Sequence, residues 1–252
     1  LPTWEGELYF EYHRGTLTSM ARNKRSNRKA ELHMMDLELL SVLAAAQVAY
    51  PTEAIDRLWY GILINQFHDI LPGSSIREVY EVTKEEYAQM EAEIGTLCAE
   101  RLTALTPAGS GMTVYNTTGF GRNDVVELGE CDAAALTDET GRVYPVQQTE
   151  NGAVAFLADL PSKGRKTFAV AGKAEQASRF ALSEDGHTLE TPFYTVRFDE
   201  QGGIAGLFDK ENRREVLQAG KTANLLRVFE DKPIYYDNWD IDIYYTEKFW
   251  DV

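Results

Sequence analysis

TPAGSGM, residues 106–112, separates two kinds of sequence pattern in this chain. Its proline, glycines and serine mark a linker. On its left, apolar residues recur every three or four positions. On its right, short β-branched and aromatic runs sit between clusters of Gly, Asn, Asp and Pro. The expected fold is α+β with the two classes segregated: an antiparallel three-helix bundle over 1–105, then an antiparallel β-sandwich over 113–252 that is incomplete at its end.

The first helical run extends from about Leu17 to Gln47, with Leu32, Met35, Leu39, Val42 and Ala46 as its expected seam. Tyr50-Pro51 ends it, because proline drives the residue before it out of the α region. Thr52 suits the N-cap of a second run, whose apolar face is Ile55, Leu58, Trp59, Ile62 and Leu63 and which reaches about Phe67. Pro72-Gly73 turns the chain, and Ser75-Ile76-Arg77-Glu78 reads as a capping box. Tyr80, Tyr87, Met90, Ile94 and Leu97 carry a third helix to about Leu105. Strands are expected at 112–117, 124–129, 142–147, 153–159, 166–171, 193–198, 204–208 and 222–229. Gly202-Gly203 would supply positive φ to a hairpin turn.

A formal net charge of −15 over 252 residues argues against broad nucleic-acid or anionic-membrane binding, since both need a basic footprint. A neutral substrate is compatible with it. No apolar run reaches the roughly 18–20 residues of a membrane span. Cys98 and Cys131 have no CxxC or finger spacing and read as reduced thiols, which favours a cytoplasmic location. Asn116-Thr117-Thr118 fits a glycosylation acceptor, of consequence only in a secreted protein. The opening LPTWEGELYF has no signal-peptide character, and both ends read as cut from a longer protein. An apolar face bared by such a cut would favour self-association into a homo-oligomer.

NQFHDILPG, residues 65–73, sets a histidine beside an aspartate where the second apolar helix breaks. His68 is either a helix-end histidine, favoured by the negative end of the dipole, or a zinc ligand. His13, His33 and His187 show no ligand spacing to it, and HExxH is absent. Asp69 is either a loop-satisfying carboxylate or a group that binds sugar hydroxyls. An HD-type metal phosphohydrolase would need further His and Asp ligands. The basic run 12–31 reads as a solvated helix face. The aromatic and acidic stretch 229–245 is either a packing edge or a sugar-stacking surface. From the residues alone, a non-catalytic carbohydrate-binding or interaction module is also open.

Six stretches, YHRGTLTS, KRSNR, NQFHDILPGSSIREVY, YNTTGFGR, GGIAGLFDK and DKPIYYDNWDID, resemble in this order the middle of glycoside hydrolase family 38 α-mannosidases. The resemblance implies a retaining, Zn2+-dependent hydrolase of α-mannoside oligosaccharides. It implies that His68 is the last zinc-binding histidine and that Asp69 hydrogen-bonds substrate hydroxyls. His13 and Arg14 would line the cleft, with Trp239 and Asp240 near it. An N-terminal α/β domain of the same protein would supply a His-x-Asp pair of zinc ligands, the nucleophile and the acid/base carboxylate. Nothing in this chain matches those groups, so no catalytic residue is assigned here and the chain alone is expected to be inactive.

Overall fold

The computed structural model describes residues 2–3, 5, 13–106, 108–109, 111–171, 179–235 and 241–252. They divide into two compact units. The first holds three helices, α1 (Ala21–Leu43), α2 (Thr52–Asn65) and α3 (Arg77–Leu105), and a six-stranded sheet. Side-chain bonds fix the helix directions. Trp59 Nε1 donates to Glu38 at 2.5 Å and Gln66 Nε2 to Glu31 at 2.8 Å, so α2 descends along α1. Tyr87 reaches Asn27 at 3.2 Å and Arg101 reaches Ser41 at 2.8 Å, so α3 rises beside α1. This is the expected up-down-up bundle.

Its seam is not the expected one. Leu32, Met35 and Val42 are exposed, and the buried positions of α1 are Asn23, Asn27, Ala30, Met34, Leu37, Leu40 and Ser41. Most of these keep the four-three spacing of a bundle seam, but polar residues occupy three of them. Each has a partner: Asn23 donates to the Ile70 carbonyl, Asn27 bonds Glu31, and Ser41 accepts from Arg101. The apolar core is completed by Ile55, Leu58 and Ile62 of α2 and by Tyr87, Met90 and Ile94 of α3.

Two expected caps are replaced. Thr52 is the first helical residue of α2, and the cap position belongs to Pro51, whose carbonyl accepts from Ile55 N at 3.0 Å. Ile76, not Ser75, precedes α3, with no side-chain cap. The Ser75 hydroxyl donates instead to the Asp69 carbonyl at 2.7 Å.

The first sheet comprises β1 (Met112–Asn116), β2 (Arg122–Gly129), β3 (Ala135–Thr137), β4 (Val143–Thr149), β5 (Gly152–Leu160) and β6 (Gly164–Ala171), all antiparallel, in the order β1-β6-β3-β4-β5-β2. Its two edge strands meet one core: Met112 and Val114 of β1 and Val126 and Leu128 of β2 all pack around Leu136, Leu157 and Phe168. The sheet therefore curls into a partly closed form, which suits alternating burial in strands with one apolar face. Asn116 is buried here and donates to the carbonyls of Phe120 at 2.8 Å and Pro161 at 3.0 Å. Its amide is committed to that turn, and the folded chain offers no acceptor at the Asn-Thr-Thr triplet.

A charged cluster lies inside this curl. Lys166 Nζ stands 2.9 Å from Asp138 Oδ2, the Tyr144 hydroxyl donates to the same oxygen at 2.8 Å, and Thr140 donates to Oδ1 at 2.6 Å. The Lys166 ammonium, then Thr140, Tyr144 and the Arg142 amide, hold the Asp138 carboxyl well below the ordinary 3.8. A depressed folded pKa stabilises above the unfolded value and is lost as pH falls through the folded one. Chemical denaturation should therefore show Asp138→Asn less stable than wild type at pH 7, with the gap shrinking below about pH 4. A gap that is constant down to acid unfolding would contradict the ion-pair account.

The second unit contains β7 (Ala181–Leu182), β8 (Thr188–Glu190), β9 (Tyr194–Phe198), β10 (Ile204–Asp209) and β11 (Arg214–Glu215) in an antiparallel sheet ordered β11-β10-β9-β8-β7. Gly202 takes φ +81° at the β9–β10 turn. Gly203 is there for space instead, since a Cβ would lie 2.6 Å from Thr222 Cγ2. The strand expected at 222–229 shortens to β12 (Arg227–Phe229), paired with β13 (Phe249–Asp251), while Ala223 bridges Ile204.

Candidate functional site at the end of the second helix

The five residues NQFHD divide by role. Asn65 is almost fully buried and donates to the Gly61 carbonyl at 3.1 Å and to Glu86 at 2.8 Å. Gln66 donates to Asn27 at 3.1 Å and to Glu31 at 2.8 Å, and the Tyr87 hydroxyl meets the same Asn27 oxygen. Burial, with Glu31 and Glu86 nearby, pushes the Tyr87 hydroxyl far above its ordinary range, so it stays a donor. Asn65 and Gln66 thus lock the helix end to both other helices. Phe67, His68 and Asp69 turn outward, and the His68 side chain is 78% exposed.

The outward turn is itself held. The Tyr80 hydroxyl donates to the carbonyls of Asp69 and Ile70, both at 3.2 Å, and accepts from Ser75 N at 3.0 Å. Ser74 Oγ donates to Asp69 Oδ1 at 3.0 Å. Gly73 takes φ +102°, and a Cβ there would meet Ser19 Cβ at 2.7 Å, so only glycine combines this backbone with this approach. Lys24 Nζ binds the carbonyls of Leu71 at 2.8 Å, Pro72 at 3.1 Å and Ser19. Desolvation lowers the pKa of that ammonium.

His68 Nε2 lies 3.7 Å from Asp69 Oδ2, and the imidazole tilts against the Phe67 ring with centroids 4.1 Å apart. An exposed imidazole beside an exposed carboxylate can offer one ring nitrogen to a cation and accept hydrogen bonds from hydroxyls. A zinc centre needs three or four protein ligands. Among the described residues no three His, Cys, Asp or Glu side chains group to hold a metal. His68 therefore fits a single ligand position, and these residues do not make a zinc site by themselves.

The other expected site residues fall as follows. His13 is half-buried and Arg14 exposed, leading into a short 3-10 turn, Gly15–Leu17, where Thr16 Oγ1 donates to the His13 carbonyl at 2.7 Å. The end of that segment, Ser19, is what meets the His68 turn, at Gly73. Trp239 and Asp240 lie outside the described residues.

Residues 11–105 match the alpha mannosidase middle domain, and residues 189–252 match the glycosyl hydrolases family 38 C-terminal domain. The chain belongs to glycoside hydrolase family 38. It is 31% identical to human alpha-mannosidase 2C1, aligned over 98% of this chain and 23% of that protein. It is 30% identical to the alpha-mannosidase of Saccharomyces cerevisiae, over 99% of this chain and 20% of that protein. The chain thus spans about a quarter of the length of such relatives. Its fold is that of the crystal structure of an alpha-mannosidase from Enterococcus faecalis, with a TM-score of 0.62 at 16% identity, covering 86% of this chain and 30% of that one.

In this family 38 chain, Lys24 and Asn27 bond the segment around His68 and Asp69 although the basic run 12–31 read as a solvated face. Their three-residue spacing sets both on one side of α1, and that spacing was the available signal. Among the described residues no helix is long and apolar enough to cross a membrane. Both cysteines are unpaired. Burial, followed by the nearby Asp36 carboxylate, pushes the Cys98 thiol up to about 11, which leaves it a poor nucleophile.

Proposed function

We propose that this chain is the helical and adjoining β portion of a longer, retaining, zinc-dependent α-mannosidase that releases terminal α-mannose from oligosaccharides. The observation that carries the reading is the rigid presentation of two polar groups, His68 and Asp69, at a helix end in a family 38 chain. A histidine needed only to finish a helix would not require Asn65, Gln66, Tyr80, Ser75 and Lys24 to fix its turn. Such support is what precise site geometry demands.

His68 would give one ring nitrogen to zinc, with the remaining ligands on another domain. The ion, when bound, orients the sugar hydroxyls. Asp69 accepts hydrogen bonds from those hydroxyls, and Ser74 keeps its Oδ1 turned toward the loop. His13 and Arg14 would lie along the same cleft. Glycoside hydrolysis with retention uses two carboxylates, and both are assigned to the N-terminal domain. Contact with that domain is supported by exposed apolar residues beside the site: Tyr60, Leu63, Ile64 and Phe67. The unpaired, half-buried cysteines support a reducing, cytoplasmic compartment.

The 252-residue chain and the full-length protein should be assayed in parallel with a chromogenic α-mannoside and for retained zinc. The full-length protein is expected to turn over and carry zinc, and the chain alone to do neither. Saturable mannose binding by the chain without metal would instead favour a carbohydrate-binding module.

A further inference from the structure

We propose that Lys24 is a positioning residue for the turn that carries His68 and Asp69. This inference rests on the reading of that turn as part of a mannosidase site. The Lys24 ammonium leaves α1 and ends among three backbone carbonyls, those of Ser19, Leu71 and Pro72. Two of them lie on the arm of the turn that follows His68 and Asp69. The third ends the segment that starts at His13 and Arg14. One cation therefore ties the two candidate substrate-contacting segments together.

The rest of the turn makes this tie necessary. Asn65 and Gln66 fix the chain before His68, and Tyr80 with Ser75 fixes the Asp69 carbonyl. Beyond that point Leu71 and Pro72 direct carbonyls at Lys24, and proline has no N–H with which to brace itself. Gly73 then passes Ser19 so closely that no side chain would fit. Backbone carbonyls at close quarters repel one another, and a charged donor among them gives strong hydrogen bonds in place of that repulsion. An ammonium is a compact point donor that can reach all three oxygens. A guanidinium is a planar fork shaped for a carboxylate, so arginine is not an equivalent replacement.

The test uses the full-length enzyme with Lys24→Met and Lys24→Ala, beside His68→Ala. Lys24→Met keeps the helix and its stem packing and removes only the donor. It is expected to lower kcat by about 10- to 100-fold, as loss of a group that orients a ligand does, with KM changed less. Amide hydrogen exchange across residues 67–73 should quicken while the α1 and α3 cores stay protected. Lys24→Ala leaves the carbonyl cradle open, and ethylammonium should restore part of kcat where tetramethylammonium, which has no N–H, should not.

Unchanged exchange in 67–73, or a loss of rate that no ammonium restores and that accompanies general loosening of the bundle, would overturn the proposal. If His68→Ala keeps the wild-type rate, the site reading fails instead, and exchange across 67–73 still decides whether Lys24 holds the turn.

Discussion

His68→Ala in the full-length protein is expected to remove α-mannoside hydrolysis, lowering kcat/KM by more than about 100-fold, beyond what loss of an orienting group costs. The same change should leave stability within about 0.5 kcal/mol of wild type, as surface substitutions do. The second expectation follows from the 78% exposure of a side chain whose neighbours are Phe67 and Asp69, and the first from its proposed place as a zinc ligand. A histidine that only finishes α2 would give the reverse pattern. It would contribute about 0.3–1 kcal/mol through the helix dipole and nothing to turnover. Thermal melting alongside the rate assay separates the two.

Arg101→Ala should be the most destabilising single change in the bundle, at about 2–5 kcal/mol, the range for truncating a large, fully buried side chain. Arg101 is 2% exposed in the interior of the first unit. Its Nε donates to Ser41 at 2.8 Å, and its two terminal nitrogens reach the carbonyls of Leu97 at 3.0 Å and Ala49 at 3.2 Å. It thereby joins α3 to α1 and to the α1–α2 connection. Removing it leaves the buried Ser41 hydroxyl without its donor and opens a cavity. Arg101→Lys should recover only part of the loss, because a point donor cannot span acceptors set for a fork. Urea denaturation of the 252-residue chain measures this. A midpoint within error of wild type for Arg101→Ala would mean that the network contributes nothing net.

Helix order, the change from helix to strand after Leu105 and most long strands were legible in the sequence because each has a period or a breaker. The α1 seam was not. Asn23, Asn27 and Ser41 occupy inward positions, so apolar periodicity pointed to Leu32, Met35 and Val42, which are exposed. Buried polar residues chosen for specific partners carry no hydropathy signal. The short strands β3, β7, β8, β11 and β13 escaped because two or three residues show no alternation. Ser75 passed as a cap because its spacing to Glu78 fits a capping box, yet its hydroxyl is used by Asp69. At the end of α2, the His68-Asp69 pair stood out as polar residues ending an apolar helix. Lys24 did not, since a lysine in a basic run looks solvated until the carbonyls it meets, from residues far along the chain, are known.

The most direct test of the account is the zinc content of the full-length protein, wild type against His68→Ala, measured on folded protein after dialysis. Stoichiometric zinc is expected in the wild type and marked depletion in the variant, with the fold retained. If the variant holds as much zinc as the wild type, His68 is not a ligand, and the helix-end turn is only architecture in a family 38 fold.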